Sequence, residues 1–315
     1  MRVGVIDCGT HTVRLLIADA GGPDGRCRLR DVVRTLRFVR LGQGVDATHR
    51  LNPEALTRTF AALDEYSAMI AAHGVDALRF LATSAVRDAE NRDEFLAGVQ
   101  LRLGVTPHVI TGEEEARLSY RGAQASYTPG AEAAAGEFPP GRCLVMDIGG
   151  GSTELILGDA EDVITARSFD IGSVRLRERL LVGDPPTPEQ VAEARRLVDA
   201  TVAPFFGDPV ETFIGVAGTS TSLAAMKLGL TTYDATRVDR STLLPGEIGA
   251  LTEHLLASSI ASVRAQYPFL EPRRAEVICA GALICDSVAN MVGRPMIVRE
   301  TDILDGAALA LVAQR

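Results

Sequence analysis

The sequence predicts an α/β protein made of two similar halves, each built on a largely parallel sheet. Two observations carry this prediction. Apolar runs of strand length alternate with helix-length periodic segments along both halves, the pattern of helices covering a sheet. The start of the chain also recurs: Val5-Ile6-Asp7-Cys8-Gly9-Thr10-His11-Thr12 aligns without a gap on Val145-Met146-Asp147-Ile148-Gly149-Gly150-Gly151-Ser152, 140 residues later. The match runs on, with Leu15 on Leu155 and Asp19 on Asp159. Such self-similarity marks a duplicated structural unit.

The elements follow in order. Residues 2–7 and 13–18 read as two strands joined by a glycine-containing turn, a hairpin. Residues 26–41 are extended, and Gly42-Gln43-Gly44 ends them. Asn52-Pro53 is an N-cap with proline at the first helical position, opening a helix to about residue 72. A strand over 77–82, a helix over 90–103 and a strand over 107–110 come next. Gly112 then opens a helix to about residue 127. In the second half, 142–147 and 154–158 are strands around Gly149-Gly150-Gly151. Thr187-Pro188-Glu189-Gln190 is a capping box starting a helix to about residue 204. A strand over 211–217 leads through Gly218-Thr219-Ser220-Thr221 into a helix. Three helical segments fill 245–293, a strand covers 296–298, and a closing helix covers 302–314. Residues 128–141, rich in Pro, Gly and Ala, are the expected boundary. They give an N-terminal domain over 1–130 and a C-terminal domain over 131–315, with the helix 302–315 free to pack back on the first.

Composition excludes several chemistries. Lys227 is the only lysine among 32 basic residues, and it sits between Met226 and Leu228, so there is no Gly-Lys-Ser/Thr phosphate loop. A net charge of -9 argues against a dedicated nucleic-acid binder. Cys8, Cys27, Cys143, Cys279 and Cys285 are scattered, form no CxxC pair, and mostly lie in apolar runs as small hydrophobes. His49, His73, His108 and His254 lack partners at metal spacing and read as structural or surface groups. No segment reads as a signal peptide or membrane span, and a reducing cytoplasm is the expected home.

The repeated unit carries phosphate chemistry. Glycines at a tight turn let backbone N–H groups converge on an anion. Thr10, Thr12, Ser152 and Thr153 add hydroxyls, and Asp7 and Asp147 sit at strand ends where a carboxylate holds magnesium beside a phosphate. Two such hairpins facing each other across a central cleft would grip a phosphate chain from both sides. Six arginines fall between residues 26 and 40 against Asp31 alone. They read either as a solvated edge strand guarded by charge or as a basic track leading a polyanion to the site.

Several motifs in sequence order resemble one family. IDCGTHTVRLL at 6–16, ATSAVRDAENRDEFL at 82–96, ITGEEEARLSY at 110–120 and VMDIGGGSTELILG at 145–158 are four of them. DIGSVRLRE at 170–178, GVAGTSTSLA at 215–224 and TDILDGAAL at 301–309 complete the set. Together they resemble the exopolyphosphatase/guanosine pentaphosphate phosphatase family in its short two-domain form. That family lies within the acetate kinase/sugar kinase/Hsp70/actin superfamily, which implies two ribonuclease H-like, actin-like ATPase domains.

The resemblance implies roles. Glu115, the residue before alanine in Gly112-Glu113-Glu114-Glu115-Ala116, corresponds to the catalytic base, with Glu113 and Glu114 solvated. Arg87 corresponds to a phosphate contact that stabilises transferred charge. Glu154 is a second acidic site residue near the metal or water. Gly9, Thr10, His11, Thr12, Gly149, Gly150, Gly151, Ser152, Thr153, Gly218 and Thr219 bind phosphate, and Asp7, Asp147 and Glu154 bind Mg2+. The first turn departs from the family's Gly-Ser-Asn-Ser, placing His11 where asparagine is usual. The expected activity is removal of terminal orthophosphate from inorganic polyphosphate by a homodimer. Two alternatives stay open: hydrolysis of guanosine pentaphosphate, and a weakly catalytic regulator that binds guanosine tetraphosphate or another nucleotide.

Overall fold

In the computed structural model, residues 1–21, 28–124, 141–159 and 163–314 are described. The chain runs β1 (Arg2–Cys8), β2 (Thr12–Gly21), β3 (Arg28–Phe38), α1 (Val45–Thr48), α2 (Pro53–His73), β4 (Ala77–Ala82), α3 (Ser84–Arg87), α4 (Arg92–Leu103), β5 (His108–Val109) and α5 (Gly112–Gln124). It continues with β6 (Cys143–Ile148), β7 (Thr153–Gly158), β8 (Val163–Phe169), α6 (Ser173–Arg179), α7 (Pro188–Val202), β9 (Thr212–Val216), α8 (Ala217–Lys227), α9 (Ala235–Val238) and β10 (Thr242–Leu243). The last elements are α10 (Pro245–Ala257), α11 (Ile260–Gln266), α12 (Pro272–Ala275), α13 (Ile278–Val292), β11 (Met296–Val298) and α14 (Ile303–Ala313). Two units result: Met1–Gly136 with Thr301–Arg315, and Glu137–Glu300.

Each unit contains the same sheet. In the first the strand order is β3-β2-β1-β4-β5; in the second, β8-β7-β6-β9-β11 repeats that order and β10 adds an edge. The first three strands of each set are antiparallel neighbours and the rest join in parallel. This is the ribonuclease H-like, actin-like arrangement. The expectation of largely parallel sheets is corrected here. The glycine turn is short enough to force its two strands antiparallel, and a third strand extends the meander, so both sheets are mixed.

Burial explains which strands lie centrally. β6 and β7 are buried at every position and β1 at all but Arg2, as expected where both sheet faces are covered. In the first unit one face packs Ile6, Leu15, Tyr66, Phe80 and Phe95. The other packs Val3, Val5, Leu16 and Leu81 against Ile303, Leu304 and Ala307 of α14. In the second unit α13 is buried almost throughout among Leu144, Met146, Leu155 and Phe213. The helix signals behave as read: Asn52 caps α2, accepting from Glu54 N at 2.8 Å, and Thr187 and Gln190 form the capping box of α7.

Other readings shift. The 245–293 stretch holds four helices, because the single turn α12 separates α11 from α13. β8, with six of its seven residues only partly buried or more exposed, carried no apolar run to announce it. The expected boundary, Arg26 and Cys27 lie largely or wholly outside the described residues.

α5 and α14 approach so closely that a Cβ on Gly306 would overlap the Leu118 carbonyl, and one on Gly122 the Asp302 carbonyl. Backbone cannot yield as a flexible side chain can. Gly306→Ala is therefore expected to destabilise the protein by on the order of 1–3 kcal/mol, the range for overpacking. Denaturant unfolding that leaves the midpoint unchanged would show that the helices slide apart freely.

Candidate active site

The two glycine turns are built alike. Gly9 N donates to Thr12 O at 2.9 Å, and Gly149 N donates to Ser152 O at 2.9 Å, so the repeat extends to the closing bond. The turn carbonyls are held from one side. Thr10 O accepts from Gly42 N, and His11 O from Val39 N and Arg40 N. Gly149 O accepts from Ser173 N, and Gly150 O from Val174 N and Arg175 N at the start of α6. In a planar trans peptide the N–H points opposite the carbonyl. The amides of His11, Thr12, Gly150 and Gly151 consequently point away from the packed side, as an anion nest requires.

The turn side chains divide by role. Thr10 Oγ1 lies 3.1 Å from Ser84 Oγ, joining the first turn to the start of α3. Thr153 Oγ1 donates to Ile171 O at 2.6 Å, so its proton is committed to the fold. His11 is buried with its ring edge-on to Phe38, centroids 5.2 Å apart. Its carbonyl, accepting from Val39 N and Arg40 N, helps shape the turn.

The three consecutive glutamates of α5 separate cleanly. Glu113 pairs with Arg117 one turn on, at 2.9 Å and in solvent. Glu114 forms a reciprocal cap: its Oε2 accepts from Thr111 N at 2.9 Å, and its own N–H donates to Thr111 Oγ1 at 3.1 Å. The Glu114 side chain is 46% exposed, solvated as expected, and it caps the helix as well. Glu115 alone is buried, 9% exposed. Arg87 donates to Ile110 O at 2.9 Å, which holds its guanidinium 3.5 Å from Glu115 Oε2. One carboxylate is thus set beside one cation just after β5, where parallel strands of an α/β sheet present ligand groups.

The carboxylates at the ends of β1 and β6 have unlike partners. Across the first hairpin Asp7 faces Arg14; across the second, Asp147 faces Glu154. Opposed residues on antiparallel strands project from one face. Arg14 Nε and Nη2 both bond Asp7 Oδ2, at 3.0 and 2.7 Å, and Nη1 bonds Asp302. Burial pushes the Asp7 carboxyl above the usual carboxylate range, with Arg14 opposing. Asp7 Oδ1 is buried without a hydrogen-bond partner.

Asp147 and Glu154 are 7% and 1% exposed, and Ser168 Oγ donates to Glu154 Oε1 at 2.7 Å. Two carboxylates buried on one face require compensating partners. A hard oxygen pair of this kind fits Mg2+, which takes one or two carboxylates and completes its shell with water and substrate phosphate. Among the described residues no group of three or more His, Cys, Asp or Glu side chains is gathered for a metal.

Gly218 and Thr219 open α8. Ala217 takes the left-handed conformation at φ 60°, a costly choice for a non-glycine residue, and it turns β9 abruptly into the helix. The Arg274 guanidinium lies where a side chain on residue 218 would project.

Three arginines of the run are ion-paired. β3 is an edge strand, and Arg30 pairs with Asp19, Arg34 with Asp31 and Asp305, and Arg37 with Glu65. Cys8, Cys143, Cys279 and Cys285 are free and buried. Burial alone pushes Cys143 up to about 12, and burial is the largest cause that raises the other three thiols. In a Cys27→Ser background, a thiol reagent at pH 8 is expected to label none of the four before denaturation; rapid labelling of the native protein would refute their packing role.

Sequence reasoning passed over Arg14, Asp302 and Arg274 as site residues. A signal for Arg14 was present, since the 140-residue offset places it on Glu154. Arg274 had none, because only folding brings α12 to Gly218.

Among the described residues no helix is long and apolar enough to cross a membrane. The model of the Ppx/GppA phosphatase family matches residues 16–301. A Mycobacterium tuberculosis protein named Exopolyphosphatase 2 is 43% identical over 324 residues, spanning 98% of this chain and 98% of its own. The crystal structure of an exopolyphosphatase-like protein has a TM-score of 0.88 at 39% identity, covering 100% of this chain and 99% of that one. An Aquifex aeolicus member of the Ppx/GppA family has a TM-score of 0.82 at 31% identity, covering 100% and 98%. With its paired glycine turns, its buried glutamate and a match over nearly its whole length, the chain belongs to the Ppx/GppA phosphatase family.

Proposed function

We propose that the protein is an exopolyphosphatase that hydrolyses the terminal phosphoanhydride bond of inorganic polyphosphate. The observation that carries this reading is the isolation of Glu115: of three adjacent glutamates it alone is buried and set beside Arg87. Its carboxylate would accept a proton from water as that water's oxygen bonds to the terminal phosphorus. The bridging P–O bond then breaks, releasing orthophosphate and a chain one phosphate shorter. Arg87 and the turn amides would hold the phosphoryl oxygens, where fixed donors offset developing charge. Thr10 and Thr12 in the first unit, and Ser152, Gly218 and Thr219 in the second, would be further phosphate contacts.

Mg2+ is the proposed cofactor, with Asp147 and Glu154 as the side chains that would hold it, and when bound it neutralises charge on the transferred group. The free thiols suit a reducing compartment, the cytoplasm in this proposal; a homodimer rests on the family resemblance. Orthophosphate release from polyphosphate should appear with Mg2+ and vanish on chelation. Undiminished release in excess chelator would remove the metal from this reading, and no release with Mg2+ would remove the activity.

A further inference from the structure

We infer that Ser84 is a positioning residue: through Thr10 it locks the first glycine turn to the short helix that carries Arg87. The inference rests on the polyphosphatase reading above and deepens it. The turn amides and the guanidinium would then meet a phosphoryl group as one preset array.

The sheet brings the two segments together. β1 and β4 are parallel neighbours, with Cys8 beside Ala82. Both strands finish at the same end of the sheet, so the turn after β1 and the start of α3 emerge side by side. Thr83 N donates to Cys8 O at 3.2 Å, which carries the pairing one residue past β4. Just beyond, Thr10 Oγ1 and Ser84 Oγ lie 3.1 Å apart, on residues 8% and 2% exposed. Burial makes this bond costly to break, because each hydroxyl would lose its partner away from water.

Gly42 fixes the rotamer from the other side. A Cβ there would lie 2.3 Å from Thr10 Cγ2 and 3.3 Å from Ala85 Cβ. Gly42 N also donates to Thr10 O at 2.9 Å. The bare backbone of residue 42 therefore makes the slot that takes the Thr10 methyl. Threonine is β-branched and stiff about χ1, so with one branch in the slot the other, Oγ1, stays on Ser84. Whichever hydroxyl donates, its partner keeps its own O–H. The pair sets the direction of that remaining proton, which would be offered to a phosphoryl oxygen.

Arg87 belongs to the same turn of helix. α3 runs only from Ser84 to Arg87, and residues three apart share a helix face. Arg87 N donates to Thr83 O at 3.0 Å and Asp88 N to Ser84 O at 2.9 Å. The backbone of Arg87 is thus tied to the glycine turn through Ser84, while its guanidinium is tied to Ile110 O. Nothing local marks Ser84 for this task, since Thr10 lies 74 residues away in the chain.

The test compares wild type, Ser84→Ala, Thr10→Val and the double variant. Orthophosphate release from inorganic polyphosphate with Mg2+, thermal unfolding and amide hydrogen exchange are measured on each. Ser84→Ala is expected to lower kcat by about 10–100-fold, the scale on which a small misplacement is felt, with a far smaller change in KM. Exchange should quicken over residues 9–12 and 84–88 together. The double variant should be no slower than the slower single variant, because both substitutions break the same bond. Unchanged kcat in a folded Ser84→Ala, additive losses in the double variant, or unchanged exchange in either segment overturns the inference. A lowered melting temperature with kcat intact assigns Ser84 to the fold and overturns it too. If Ser84→Ala does not fold, Ser84→Cys keeps the volume with a weak donor and carries the same expectation. No release from wild type contradicts the polyphosphatase reading instead, and the tie between turn and α3 then stands or falls on exchange.

Discussion

Glu115→Gln is expected to lower kcat for orthophosphate release by about 10²–10⁴-fold, the usual contribution of a positioned general base. The amide keeps the shape and still accepts from Arg87, but it has no basic oxygen for the proton of the attacking water. KM should change little, because the proposal assigns binding to the turn amides and Arg87. Folding should be nearly unaffected, since the Arg87–Glu115 contact is 3.5 Å long and partly solvated, and ion pairs of that kind contribute at most about 1 kcal/mol. Pre-steady-state and steady-state phosphate release on matched preparations separate the cases. Equal rates in both proteins reject Glu115 as the base; a lost thermal transition in the variant would instead assign it to the fold. Glu113→Gln is the control. It sits in solvent against Arg117, and its rate should match wild type.

Arg87→Lys carries the second large effect, a fall of about 10²–10³-fold in kcat/KM, comparable with removing one fixed donor from a developing oxyanion. The guanidinium holds Ile110 O with Nη1 while its other nitrogens stay available. A lysine ammonium has donors around a single nitrogen and cannot hold that carbonyl while presenting a planar fork to phosphate. The loss should fall on kcat more than on KM if Arg87 meets charge that develops during transfer, and on KM alone if it only binds ground-state phosphate. Activity within threefold of wild type, roughly 0.7 kcal/mol by the tenfold-per-1.4 rule, would leave Arg87 as a structural tie to β5.

How much of this was legible before folding depends on the kind of signal. The repeated hairpin was fully readable, because a strand, an acid and a glycine turn are local in sequence and recur at a fixed offset. The capping signals at Asn52 and Thr187 were readable for the same reason. Glu115 needed the family resemblance. Nothing in Glu113-Glu114-Glu115 ranks the three, and only helix phase against Thr111 and Arg87 tells the cap from the buried acid.

Arg34 shows the opposite failure. A run of arginines reads as a surface feature, yet β3 brings Arg34 onto Asp305, 271 residues away, and Arg30 and Arg37 are ion-paired as well. The meaning of Arg14 also waited on long-range structure. Its partner Asp302 lies at the far end of the chain, and only the register Asp7↔Arg14 against Asp147↔Glu154 exposes the asymmetry of the repeat.

The activity itself is tested most directly by one substrate panel at fixed magnesium and ionic strength. Inorganic polyphosphate, guanosine pentaphosphate and a nucleoside triphosphate would be supplied side by side, and orthophosphate release followed over time. Polyphosphate is expected to shorten from its end, yielding one orthophosphate per cleavage faster than either nucleotide does. Faster turnover of guanosine pentaphosphate would assign the site to that substrate instead, and tight nucleotide binding with no release from any substrate would contradict the hydrolase reading altogether.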